Sequence, residues 1–176
     1  AYALEGSIFV AGAAIKWLRD KVGILNASEE SESLARAANP DHGITVVPGF
    51  TGLGAPHWNA EARGAISGLT LDSTAADIVR ATLEGIAWST ADLVAAMGTA
   101  PAMIRIDGGM SQNGWFAQFL ADVLQVPVER PQSHETTAAG AAALAAITTG
   151  VYADKEDVAR QWACAARFTP NIASEE

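Results

Sequence analysis

Arg105–Leu124 reads RIDGGMSQNGWFAQFLADVL, and the order of its parts decides the fold class. The run MIRI, Met103–Ile106, puts Met103 and Arg105 on one face of a short strand and Ile104 and Ile106 on the other. From Trp115 onward, Trp115 and Phe116, Phe119 and Leu120, Val123 and Leu124 recur four residues apart, the stripe of an amphipathic helix. Gly108 and Gly109 stand between strand and helix. Two residues without side chains at a helix entrance leave two readings open. One is a tight turn that needs unusual φ angles; the other is a place where a ligand approaches bare backbone beside free helical N–H groups. Both belong to an α/β protein.

Outward from this stretch the chain keeps alternating between strand and helix patterns, as a layered α/β fold requires. A strand is expected over Tyr2–Ser7, then a helix whose face carries Ile8, Ala11, Ile15, Leu18 and Val22 and which stops at Gly23. Polar residues from Asn26 to Glu32 lead to a short helix, SESLARAAN, ended by Pro40. ITVVPGF, from Ile44, is apolar enough to predict a strand buried on both faces. TGLGAPHWNAEARG follows as a long loop, and GAISGLTL as a strand. Asp72, Ser73 and Thr74 are N-cap candidates for a long helix reaching Met97, whose apolar residues are spread over more than one face. After the opening stretch, VPVERP predicts a strand. TTAAGAAALAAITTG predicts a helix slim enough to pack closely on a sheet, and a last helix over Lys155–Ala165 precedes a polar tail.

Composition bounds the function. With 176 residues, 49% of them hydrophobic and 18% charged, the chain can build a sizeable core as one domain. Twenty acidic against 11 basic residues leave a net charge of −9, which argues against nucleic acid and anionic membrane surfaces as partners. A single cysteine, Cys164, permits no internal disulfide and suits a reducing cytoplasm. His42, His57 and His134 are scattered without metal-ligand spacing. There is no Gly-Lys pair for a Walker loop, no G-x-G-x-x-G for a Rossmann turn and no G-x-S-x-G elbow. The chain opens on AYALEG without an initiator methionine, which suggests a piece of a longer protein.

One stretch is more specific. GAISGLTLDSTAADIVRATLE, Gly64–Glu84, resembles the C-terminal signature of the FGGY carbohydrate kinases at Gly64, Ile66, Gly68, Leu69, Asp77, Ile78, Ala81, Thr82, Leu83 and Glu84. YALEGSIFVAGAAIKWLRD and VVPGFTGLGAPHWNAEARG resemble the glycerol-phosphorylating branch of that family. The resemblance implies that residues 1–176 form the C-terminal, nucleotide-binding lobe of a two-lobed kinase, with the ribonuclease-H-like fold of actin and Hsp70. It implies ATP and Mg²⁺ as cofactors, glycerol as substrate, an N-terminal kinase lobe as partner, and a homo-oligomer in the cytoplasm. Another polyol or sugar, or a non-catalytic nucleotide-binding module, stays open as an alternative.

By the same resemblance Gly109 is a backbone contact to the nucleotide and Asn113 a polar contact in the adenosine pocket. Gly12 falls on a second glycine contact, and Lys16 lies one helical turn later. Family members usually carry glutamine at that place; lysine donates but cannot accept, and its charge favours phosphate. Gly12 as a mere helix-packing residue and Asn113 as a solvated first-turn residue are the plainer alternatives. Asp107 is given a structural or water-mediated role rather than a metal-ligating one. The resemblance puts the catalytic aspartate, the phosphate loop and the glycerol pocket outside this chain, so no catalytic residue is assigned within it and the isolated chain is expected to be inactive.

Overall fold

The computed structural model describes residues 4–133 and 135–172. Helix α1 spans Gly12–Trp17 and continues as a π-helical turn, Leu18–Val22, that ends at the left-handed Gly23. Helix α2 covers Glu30–Ala37. Strands β1 (Thr45–Val47) and β2 (Ala65–Ser67) form an antiparallel pair with Val46 opposite Ile66. Helix α3 runs from Ala75 to Ala96. Strand β3 (Ile104–Arg105), a 3₁₀ turn (Gly109–Gln112) and helix α4 (Gly114–Leu124) reproduce the order of the opening stretch. Then come β4 (Val128–Pro131), α5 (Thr136–Thr148), α6 (Lys155–Arg160) and β5 (Cys164–Phe168). Within the second sheet β3 and β4 are parallel, and β5 lies antiparallel on the other edge of β4.

α3 is the axis of the domain. Thr74 caps it: its hydroxyl oxygen accepts the Asp77 N–H, and the Asp77 carboxylate accepts the Thr74 N–H at 2.9 Å, a closed capping box. One side of α3 buries Val79, Leu83 and Ile86 against Ile15, Leu18, Phe116, Leu120 and Val128. The other side sets Ala81 against Ile44 and Val46. The two-sided apolar pattern of this helix thus serves two cores. Each fully buried aliphatic side chain contributes about 1.5–3 kcal/mol of transfer free energy.

Several expectations are corrected. Tyr2 and Ala3 lie outside the described residues, and Leu4–Ser7 is irregular chain; Ser7 O accepts one hydrogen bond from Ala55 N rather than joining a ladder. β1 buries only Val46, while Val47 is 41% exposed, because a two-stranded sheet covers one face with α3 and leaves the other open. The strand expected over GAISGLTL shrinks to three residues. The alanine-rich helix α5 packs on no sheet: among the described residues none of its side chains is buried, and Leu144 is 69% exposed. Finally, Cys164 and Ala165 belong to β5, not to a helix. The free edge of β4 offers a ladder there, with Val128 opposite Phe168 and Glu129 opposite Arg167.

Candidate functional site

The two readings of the glycine pair divide between its two members. Gly108 takes φ 74° and ψ −177°, a region essentially closed to residues with a side chain. Gly109 has no such φ, and a Cβ built on it would meet nothing within 4 Å. Gly108 therefore makes the turn, and Gly109 presents the open backbone. The turn is fixed from behind: Ser111 N and Oγ both donate to Gly108 O, at 3.1 and 2.7 Å, and Arg130 Nη1 donates to Ser111 O at 3.1 Å.

α1 faces this turn. A Cβ on Gly12 would touch Met110 at 3.4 Å, an ordinary contact, so the helix lies against the turn here. Lys16 is exposed one helical turn further on. The space between is a cavity of about 650 Å³, lined by Gly12, Lys16, Arg19, Gly109 and Asn113, with Ser28, Glu29, Ser31 and Glu32 also on its wall. All four residues singled out in the sequence meet here, although they come from opposite halves of the chain.

Asn113 has a more structural role than a free polar contact. Its Oδ1 accepts the Phe116 N–H at 2.8 Å, capping α4, and its Nδ2 donates to Ser31 Oγ at 3.0 Å. The side chain is buried, with its carbonyl oxygen committed to the helix cap.

Sequence reasoning missed Glu32. Its Oε2 accepts the N–H of Gly114, the first residue of α4, at 2.9 Å, while Oε1 accepts two N–H groups of Arg36 at 3.1 and 2.7 Å. The helix entrance that looked free for an anion is already occupied by a carboxylate of the chain itself. Burial pushes the Glu32 carboxyl up, but the Arg36 and Gly114 hydrogen bonds, with the charges of Arg36 and Arg130, outweigh it and hold the group below its ordinary value. Only an acid in a first helical turn was visible in the sequence; its partner is 82 positions away.

Arg19, also unforeseen, reaches from the turn after α1 to Ser28 Oγ at 3.1 Å and forks onto the neighbouring Asp20 carboxylate at 2.6 and 3.0 Å. It ties the Ile24–Glu29 connection to the helix that carries Gly12 and Lys16.

Of the signature residues Leu83 lines this cavity, while Asp77 and Glu84 fix the chain around α3. Asp77 Oδ1 accepts the Asn39 N–H at 2.9 Å, and Glu84 pairs with Arg80 at 2.8 Å and with buried His42 at 3.2 Å. These bonds clamp the connection leaving α2 against α3. His42 Nδ1 accepts the Ile44 N–H at 2.9 Å, so Nε2 carries the hydrogen that faces Glu84. Gly68, the second signature glycine, has φ 82°, and a Cβ there would collide with Gly43 O.

A second cavity, about 360 Å³, opens between β1 and α3 beside Trp88. Its charged side chains are paired: His57 with Asp92 at 3.5 Å, and Glu84 as above. Asp107 accepts a hydrogen bond from the Thr136 hydroxyl, in keeping with a structural role. Among the described residues no three His, Cys, Asp or Glu side chains converge to hold a metal, and no helix is long and apolar enough to cross a membrane.

Residues 1–149 match the model of the FGGY family of carbohydrate kinases, C-terminal domain. A glycerol kinase of Rhodospirillum centenum is 53% identical over 172 residues, covering 96% of this chain and 34% of that protein. Glycerol kinase 1 of Pseudomonas aeruginosa is 50% identical over 177 residues, covering 99% of this chain and 36% of that protein. The chain therefore spans about a third of the length of these relatives. Among solved structures, Plasmodium falciparum glycerol kinase with ADP superposes with a TM-score of 0.84 at 34% identity, over 98% of this chain and 35% of that one. The fold is the actin- and Hsp70-like, ribonuclease-H-like one of these kinases.

Proposed function

The chain belongs to the FGGY family of carbohydrate kinases, and from that premise we propose that it is the nucleotide-binding lobe of a cytoplasmic enzyme that phosphorylates glycerol with ATP. The observation that carries this reading is the convergence of Gly12, Lys16, Gly109 and Asn113 on one open cavity. Adenosine would lie on the bare backbone at Gly109, where no atom blocks the approach. The Asn113 N–H not used by Ser31 would serve as a donor, and the Lys16 ammonium would attract the phosphates.

Phosphoryl transfer depends on alignment and charge neutralisation more than on covalent chemistry by the protein. ATP supplies the phosphoryl group. This lobe would hold the nucleotide and exclude water on closing against an N-terminal kinase lobe, which would bring the base, the glycerol pocket and the phosphate loop. Mg²⁺, which takes one or two carboxylates beside phosphate oxygens and waters, would be held mainly by the nucleotide and the other lobe. Assembly as a homo-oligomer belongs to the same proposal; the exposed side chains of Trp58 and Trp88 are available either to a second copy or to the N-terminal lobe.

The test is a coupled assay of the full-length protein with ATP against glycerol, other polyols and pentuloses, together with calorimetry of ADP. Glycerol should give the highest kcat/KM. A sugar preferred over glycerol would overturn the substrate, and failure to bind ADP would overturn the nucleotide site.

A further inference from the structure

We propose that Glu32 is a positioning residue of the nucleotide cavity, acting as the built-in anion at the N-terminus of α4; the inference rests on the nucleotide reading above. The entrance to an 11-residue helix carries unsatisfied N–H groups and a positive end. In a nucleotide-binding cavity such an end competes with Lys16 for the ligand's negative charge. Here two of its N–H groups are taken by side chains, Gly114 by Glu32 and Phe116 by Asn113.

The packing agrees with those bonds. A Cβ on Gly114 would lie 3.1 Å from Glu32 Oε1, so the first residue of α4 leaves just the room that the carboxylate fills. Arg36 holds the same oxygen from the opposite side and orients the group.

The geometry couples two walls of the cavity. Ser31 bonds Asn113 and Glu32 bonds Gly114, so adjacent residues of α2 are joined to adjacent residues at the head of α4. Asn113 N in turn donates to Met110 O at 3.1 Å, which carries the attachment into the 3₁₀ turn containing Gly109. Loss of the Glu32 carboxylate releases the end of that turn from α2. It also leaves a positive helix end at the adenosine side of the cavity, away from Lys16, where it would draw phosphate out of productive alignment. Glu32 touches no reacting atom in this scheme; it sets where Gly109 stands and which charge the cavity presents.

The experiment compares wild type, Glu32→Gln and Glu32→Ala in the full-length kinase. Measured quantities are KM for ATP, KM for glycerol, kcat, ADP affinity and inhibition by inorganic phosphate. Glutamine retains an acceptor for Gly114 N–H without the charge; alanine removes both. For Glu32→Ala we expect KM for ATP to rise about tenfold, the scale of one charge-assisted hydrogen bond, with glycerol KM unchanged and phosphate a stronger competitor against ATP. Glu32→Gln should recover part of the ATP KM. Wild-type ATP kinetics and phosphate inhibition in both variants would overturn the proposal. So would parallel losses for ATP and glycerol, which mark general destabilisation. If Glu32→Ala does not fold, Glu32→Gln with wild-type phosphate inhibition decides against it. A wild-type protein that binds no ADP overturns the nucleotide reading, and this inference with it.

Discussion

Two adjacent glycines should fail in opposite ways. Gly108 sits in a backbone region essentially restricted to glycine, so Gly108→Ala must strain or rearrange the turn; such strain costs on the order of 1–3 kcal/mol. For a domain of this size that lowers Tm by roughly 2–4 °C per kcal/mol, hence by about 2–12 °C. A Cβ at Gly109 meets nothing within 4 Å and the backbone there has no positive φ, so Gly109→Val should melt near the wild-type temperature. The same open space is where adenosine is proposed to lie. A branched side chain pushed into an occupied, well-packed site costs about 1–3 kcal/mol, or roughly a 5- to 150-fold weaker ATP affinity. Thermal melts of the free protein, ADP calorimetry and ATP kinetics of the full-length kinase separate the two effects. The expected pattern is a destabilised Gly108→Ala and a stable Gly109→Val with raised ATP KM and normal glycerol KM. Unchanged ATP affinity in a folded Gly109→Val would refute the placement of the nucleotide. An unchanged Tm in Gly108→Ala would refute the division of labour within the turn.

At low salt, Lys16→Glu should raise ATP KM at least about fivefold through repulsion of the phosphates, while Lys16→Gln changes it little; equal affinities would put Lys16 outside the site. Asp77→Asn should cost about 1–3 kcal/mol in urea unfolding at neutral pH. The Thr74 hydroxyl and N–H, with the Asn39 N–H, hold the Asp77 carboxyl below its ordinary value, so its contribution is present above about pH 4 and fades as pH falls through the folded value. The stability gap between wild type and variant should therefore close only in acid; a gap that widens there contradicts the assignment. The 176-residue chain by itself should bind ADP weakly and form no glycerol 3-phosphate, because half a cleft loses about tenfold in affinity for each ~1.4 kcal/mol of missing contacts. Turnover by this chain alone would show that it contains the catalytic machinery.

Whatever depends on neighbours a few residues apart was decided by the sequence alone. Thr74 and Asp77 are three apart, which places the cap of α3. The paired apolar residues from Trp115 set the stripe of α4, and Gly108–Gly109 marked the turn before it. The family resemblance pointed to a nucleotide lobe, and with it to Gly12, Lys16, Gly109 and Asn113. Pairings across long separations were decided only by the tertiary structure. β5 exists because β4 has a free edge to donate hydrogen bonds, and CAARF carries no alternation to announce it. Val47 and the alanines of α5 are apolar yet uncovered, since burial depends on what else reaches a surface and not on the residue itself. Glu32 looked like a solvated acid until folding brought it to Gly114, because a carboxylate finds its helix end through space, and no local pattern encodes a partner 82 residues away.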